Sequence, residues 1–262
     1  MIGDRFAPAD SAHDGDILLL HSFFGRPALL STWAGELRRA GHRVTVPTLP
    51  GRDPTDIETL RHNGFERYRH AAFEAYDALG GPAIVIGHSL GGLLAQHIAA
   101  TRDCRALVLL ASVPPGVLWP QIRSLPYLAP ILPAILAGRP FLPSPRTMRN
   151  LPLSTLPRAE QDTLIPELVT DSGLMFRQMM LGAPALRSGA DTSCPVLCVS
   201  GGSDRNVATW QSKGLARRLG AAHHHHPGLP HWIVADSAVS TVLPPVLRWL
   251  ATTLGRGGPG PQ

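Results

Sequence analysis

One stretch, Gly87-His88-Ser89-Leu90-Gly91-Gly92, constrains this chain more than any other feature. It joins a β-branched apolar run at 83–87 (AIVIG) to an apolar segment of helical character at 93–100 (LLAQHIAA). A strand and a helix that meet across so few residues need a sharp, strained turn at the serine. Glycines two positions before and two after it let strand and helix approach closely. The turn then presents the Ser89 hydroxyl at the end of a sheet, with a helix N-terminus behind it. A G-x-S-x-G pattern alone also arises as an ordinary tight turn in a glycine-rich chain; the flanking strand and helix are what favour a nucleophile.

The same alternation extends along the chain. Apolar runs at 17–23 (ILLLHSF), 43–46, 83–87, 106–111 (ALVLLA), 196–200 and 222–226 read as six strands. Stretches of helical period lie at 28–40, 66–79, 207–219 and 238–254, and one runs from Ser89 to 101. Repeated β-α-β units predict the α/β class, with a mostly parallel central sheet flanked by helices. Pro244-Pro245 are expected to start a new segment or to kink the last helix.

Residues 113–193 differ in character: prolines recur, apolar side chains abound and no strand pattern emerges. A structureless loop of that length is improbable in a compact domain, so a helical, Pro-rich cap is expected there, inserted after the fourth strand. Its candidate helices are 118–127, 129–137, 158–170 and 172–181. Residues 1–112 and 194–254 then form the core, and 255–262 (GRGGPGPQ) a disordered tail.

A serine hydroxyl is a weak nucleophile near neutral pH and needs a base, which needs an orienting acid. Asp204, in the turn Ser200-Gly201-Gly202-Ser203-Asp204, leaves the carboxyl end of the fifth strand. His231 follows the sixth strand in Pro227-Gly228-Leu229-Pro230-His231-Trp232. Taken singly, Asp204 is an ordinary turn former and His231 one of twelve histidines. Three residues of the right types at the ends of three strands, in the order serine, acid, histidine, read as a catalytic triad.

With these segments on the page, ILLLHSFFG, VTVPTLPGR, AIVIGHSLGG, PVLCVSGGSD and PGLPHW, the chain resembles the α/β-hydrolase superfamily, in particular its capped bacterial esterase, lactonase and thioesterase-like members. The resemblance covers 16–254. It implies acyl transfer through an acyl-serine intermediate without a metal or organic cofactor, and an oxyanion hole made by the backbone N–H groups of Phe23 and Leu90. Members with aspartate at the elbow are dehalogenases and epoxide hydrolases, chemistry closed to Ser89. The chain departs from the pattern in having His21-Ser22 where His-Gly is usual, and in the short N-terminus, which leaves little room for preceding antiparallel strands. Ser22 either donates its hydroxyl to the pocket or is a small residue that fits.

The substrate information lies in the insertion, whose Met175 and Met179 point to an apolar cavity or to the glue between cap and core. Ser22, Phe24, Trp33 and Trp232 complete the expected pocket lining. The substrate is expected to be a small apolar ester, lactone or thioester, with a carrier-protein-bound acyl group also accommodated. A cyclase or transacylase with the same triad, and a non-catalytic ligand-binding homologue, are the competing readings.

Composition excludes several other classes. The net charge is +5, but the arginines are scattered, so no nucleic-acid partner is expected. Three cysteines without C-x-x-C spacing favour neither a disulfide framework nor zinc and suit a cytoplasmic location. Prolines and arginines interrupt every apolar stretch, including 119–142, so no stable membrane insertion is expected. On a strand, His223 to His226 alternate faces, so at most two converge on one ion and no metal site is expected. Asp53, Asp56 and Glu58 read as a solvated loop or as polar contacts at the site mouth.

Overall fold

The computed structural model describes residues 15–52, 57–182, 184–186 and 192–255. The expectations for Asp53, Asp56 and, beyond Gly255, the tail lie outside the described residues. The six strands are β1 (Asp16–Leu20), β2 (Arg43–Thr45), β3 (Ala83–His88), β4 (Cys104–Leu110), β5 (Val196–Gly201) and β6 (Ala222–His226). They form one sheet in the order β2-β1-β3-β4-β5-β6, and every pairing is parallel. Helices cover such a sheet on both faces, which is why β3 is apolar without alternation from Ala83 to Gly87 and buried at every residue. β6, at the edge, is half exposed and tolerates four histidines.

The chain places β2 on one side of β1 and β3 on the other. Loops leaving the carboxyl ends of β1 and β3 therefore run to opposite sides, and a crevice opens between them. Phe23 and Ser89 sit at that crevice.

The core helices are α1 (Ser31–Arg39), entered through a 3-10 turn at Pro27–Leu30, then α2 (Ile57–Leu60), α3 (Phe65–Asp77) and α4 (Leu90–Ala99). The insertion carries α5 (Leu125–Leu128), α6 (Leu132–Leu136), α7 (Pro145–Asn150), α8 (Arg158–Leu164) and α9 (Gly173–Met180), and the core resumes with α10 (Thr209–Arg218) and α11 (Asp236–Thr253).

Four expectations are corrected. β1 ends at Leu20 rather than 23, because the chain turns where the Gly25 amide bonds the Ser22 carbonyl at 3.2 Å. The helix expected at 118–127 is a 3-10 turn at Ile122–Ser124 followed by α5, since Pro126, Pro130 and Pro133 each sit in the first turn of a new short piece. α7 was not anticipated, although Ser144-Pro145 signals it: the Ser144 side chain accepts from the Thr147 amide at 3.2 Å. Finally, α11 runs unbroken through Pro244 and Pro245. The carbonyls that lose their partners belong to Ser240 and Thr241, which face solvent, while Val239, Val242, Leu243 and Val246 bury the other face.

Candidate active site

Ser89 sits between β3 and α4 with φ 55° and ψ −114°, a region that L-residues adopt only under constraint, at about 1–3 kcal/mol. Its amide donates to the Leu110 carbonyl at 3.0 Å, and its own carbonyl accepts from the Val113 amide at 3.1 Å, so β4 and the segment just after it pin the turn. The flanking glycines explain themselves sterically. A Cβ on Gly87 would stand 2.3 Å from the Gly91 carbonyl oxygen, and one on Gly91 2.3 Å from that of Leu20. The start of α4 thus rests directly on the backbone leaving β1.

The structure brings the three expected residues together. The Ser89 hydroxyl lies 2.8 Å from His231 Nε2, and His231 Nδ1 lies 2.8 Å from Asp204 Oδ2. Asp204 spends its other oxygen on the amides of Asn206 (2.7 Å) and Val207 (2.8 Å), which fixes the carboxylate plane. All three residues are buried. A carboxylate oxygen accepts, so the contact with Asp204 suits an Nδ1–H donor and turns Nε2 towards the Ser89 hydroxyl.

Two further histidines support these three residues, and sequence reasoning resolved no role for His21. His88 Nε2–H donates to the His231 carbonyl at 2.9 Å, holding the loop that carries His231. Burial, and secondarily the neighbouring His231, push His88 down to about 3, so it is neutral. His21 Nδ1–H donates to the Ser22 carbonyl at 3.0 Å, and its Nε2 accepts from the Leu49 amide at 3.4 Å. Burial, with Arg52 nearby, also lowers His21 to about 3.

Phe23 follows β1 and Leu90 opens α4, where no carbonyl of the preceding helical turn is available to its amide. The two segments are in backbone contact through Gly91 and Leu20. Next to Phe23, Phe24 adopts φ 59°. Its amide donates to Asp171 Oδ2 at 2.9 Å and its carbonyl accepts from the Val169 amide at 2.9 Å. Asp171 pairs with Arg52 at 2.8 Å and accepts from the Tyr68 hydroxyl, all three side chains being buried. Neither Arg52 nor Asp171 was anticipated. The LPGR turn after β2 is a weak signal for the first, and nothing local marks the second.

A cavity opens over Ser89 and His231. The core contributes Ser22, Phe23, Phe24 and Trp232, together with Val207. The insertion contributes Leu118, Leu128, Ile131, Met148, Phe176 and Met179. Phe176 packs 5.3 Å from the Phe23 ring. Trp33 and Met175 do not line it. Both are fully buried: Trp33 lies on α1, which packs on β2 and α11, and Met175 lies in the core cluster beside the Ser172 cap of α9.

Elsewhere, His223 Nε2 (2.8 Å) and His225 Nδ1 (3.1 Å) share the Ser200 hydroxyl. Among the described residues no group of three or more His, Cys, Asp or Glu side chains is placed to hold a metal ion, and the three cysteines are free thiols. Glu58 is exposed beside Arg61. No helix among the described residues is long and apolar enough to cross a membrane.

The sequence profile of the alpha/beta hydrolase family matches residues 17–242. The chain is 28% identical over 225 residues to the magnesium-chelatase 30 kDa subunit of Rhodobacter capsulatus, covering 80% of this chain and 78% of that one. It is 35% identical over 86 residues to a pyrethroid hydrolase of Sphingobium wenxiniae, a match spanning 31% of each. Among solved structures it is similar to the methylesterase MES16 of Arabidopsis, with a TM-score of 0.69 at 16% identity over 90% of this chain and 99% of that one.

Proposed function

Because the chain belongs to the alpha/beta hydrolase family, we propose that it is a serine hydrolase cleaving an apolar carboxylic ester, lactone or thioester. The observation that carries this reading is the buried relay of two 2.8 Å contacts, Ser89 to His231 to Asp204, opening onto an apolar cavity.

The steps follow from the geometry. Ser89 Oγ attacks the carbonyl carbon while His231 Nε2 takes its proton, and Asp204 stabilises the imidazolium. The amides of Phe23 and Leu90 receive the charge on the carbonyl oxygen, each such donor being worth about 3 kcal/mol in comparable sites. The tetrahedral intermediate collapses, the carbon–oxygen or carbon–sulfur bond breaks, and His231 delivers the proton to the leaving group. Water, deprotonated by the same nitrogen, then cleaves the acyl-serine ester.

Apolar acyl groups are favoured because Leu118, Leu128, Ile131, Met148 and Met179 offer area but no hydrogen bonds. Methionines adapt to chains of different shape. A role only as a subunit, as the name of the R. capsulatus relative describes for that protein, needs no reactive serine.

A fluorophosphonate separates the two readings. Stoichiometric labelling is expected in the wild type, none in Ser89→Ala and slower labelling in His231→Ala. Folded wild-type protein that resists labelling would refute the hydrolase reading. p-Nitrophenyl esters of rising chain length, lactones and acyl thioesters then identify the preferred acyl and leaving groups.

A further inference from the structure

The turn that carries Phe23 is held by the insertion as well as by its own closing hydrogen bond. Ser22 to Gly25 closes through the Gly25 amide on the Ser22 carbonyl, and Phe24 occupies its third position with φ 59°. Glycine or asparagine is the usual residue at a positive φ in a turn, and a phenylalanine stays there only when its surroundings hold it. The holding groups all come from one short segment. Asp171 Oδ2 accepts from the Phe24 amide at 2.9 Å, and the Val169 amide donates to the Phe24 carbonyl at 2.9 Å.

Asp171 is itself over-determined. Its Oδ1 accepts from the Ser172 amide at 2.8 Å and from the Tyr68 hydroxyl of α3. Arg52, from the loop after β2, lies 2.8 Å from Oδ2, and the backbone of Asp171 exchanges two 3.0 Å bonds with Phe141. Asp171 is 0% exposed. A carboxylate buried this deeply is costly unless paired and hydrogen-bonded, and here nearly every acceptor site is used.

We propose that Asp171 is a positioning residue for the oxyanion hole: it locks the Phe23-Phe24 turn so that the Phe23 amide points at the developing oxyanion, and it makes a competent site conditional on a docked insertion. The proposal rests on the serine-hydrolase reading, which supplies the role of the Phe23 amide. A preorganised donor acts only if its direction is fixed before the reaction, so a loosened turn penalises the transition state more than the bound substrate.

The test compares ligands with and without tetrahedral character. An alkyl boronic acid adds to Ser89 Oγ, the serine proton passing to His231, and its anionic adduct uses the oxyanion donors. The n-alkyl alcohol of the same length fills the cavity without them. In Asp171→Asn, kcat and boronate affinity are expected to fall together by on the order of 10²-fold, with KM and alcohol affinity within about threefold. Tyr68→Phe, which keeps the ion pair, is expected to show the same pattern at roughly three- to tenfold and serves where Asp171→Asn fails to fold. Unchanged kcat and boronate affinity in either folded variant, or an equal loss for boronate and alcohol, would overturn the positioning role. Wild-type protein that binds no boronate at Ser89 would overturn the underlying reading along with it.

Discussion

Exchanging Asp204 for asparagine keeps the shape of the site and reverses its logic, since the amide nitrogen presents a donor to His231 Nδ1 where only an acceptor fits. Asp204→Asn is therefore expected to lower kcat by about 10⁴-fold with little change in KM, read from steady-state ester hydrolysis. The two buried neutral histidines set a second expectation. His21 and His88 are lowered from 6.5 to about 3, so below pH 6.5 the unfolded chain binds protons that the folded chain refuses. Their contribution is complete above pH 6.5 and is lost as pH falls towards 3, by about 2 kcal/mol each at pH 5. Urea midpoints at pH 7 and pH 5 measure it. His88→Gln, which retains a donor for the His231 carbonyl, should remove that one histidine's share of the slope, about 2 kcal/mol between pH 7 and pH 5. Ser89, Asp204 and His231 were legible because motif, strand end and chain order all bear on them. Trp33 and Met175 were not, because an apolar side chain reads the same whether it faces a cavity or a packed core.

The elements carry constraints of their own. Gly91→Ala forces a Cβ against the Leu20 and His21 carbonyls, which are backbone and cannot yield as a flexible side chain does. A loss of about 3 kcal/mol or more, or displacement of α4 with loss of fluorophosphonate labelling, is expected by calorimetry and labelling. Pro244→Ala should act in the opposite sense. It returns a donor to the Ser240 carbonyl on the exposed face of α11 and is expected to stabilise by roughly 1–3 kcal/mol, read as a higher Tm. Strand positions were legible to within a few residues because a sheet covered on both faces demands continuous apolar runs. In the insertion the helical content was legible but its division was not: each proline ends one short piece and starts the next, and sequence periodicity does not say which.

Across the whole molecule, the core carries Ser89, Asp204 and His231, and the insertion lines much of the cavity over them. Gln121 and Arg123 of the insertion both donate to the Asp204 carbonyl, at 2.9 and 2.7 Å, and Asp171 grips Phe24. Such long-range pairings leave no local mark, which is why they could not be read beforehand. If the insertion sets chain-length preference, Ile131→Trp should shift turnover towards short acyl chains, lowering kcat/KM for octanoyl esters at least tenfold relative to acetyl esters. The central claim, that Ser89 forms a covalent acyl intermediate, is most directly tested by intact-mass and peptide analysis of enzyme quenched during turnover of a p-nitrophenyl ester. The account predicts one acyl mass on the peptide containing Ser89, absent in Ser89→Ala together with the activity. An acyl group on another residue, or undiminished hydrolysis by folded Ser89→Ala, would contradict it.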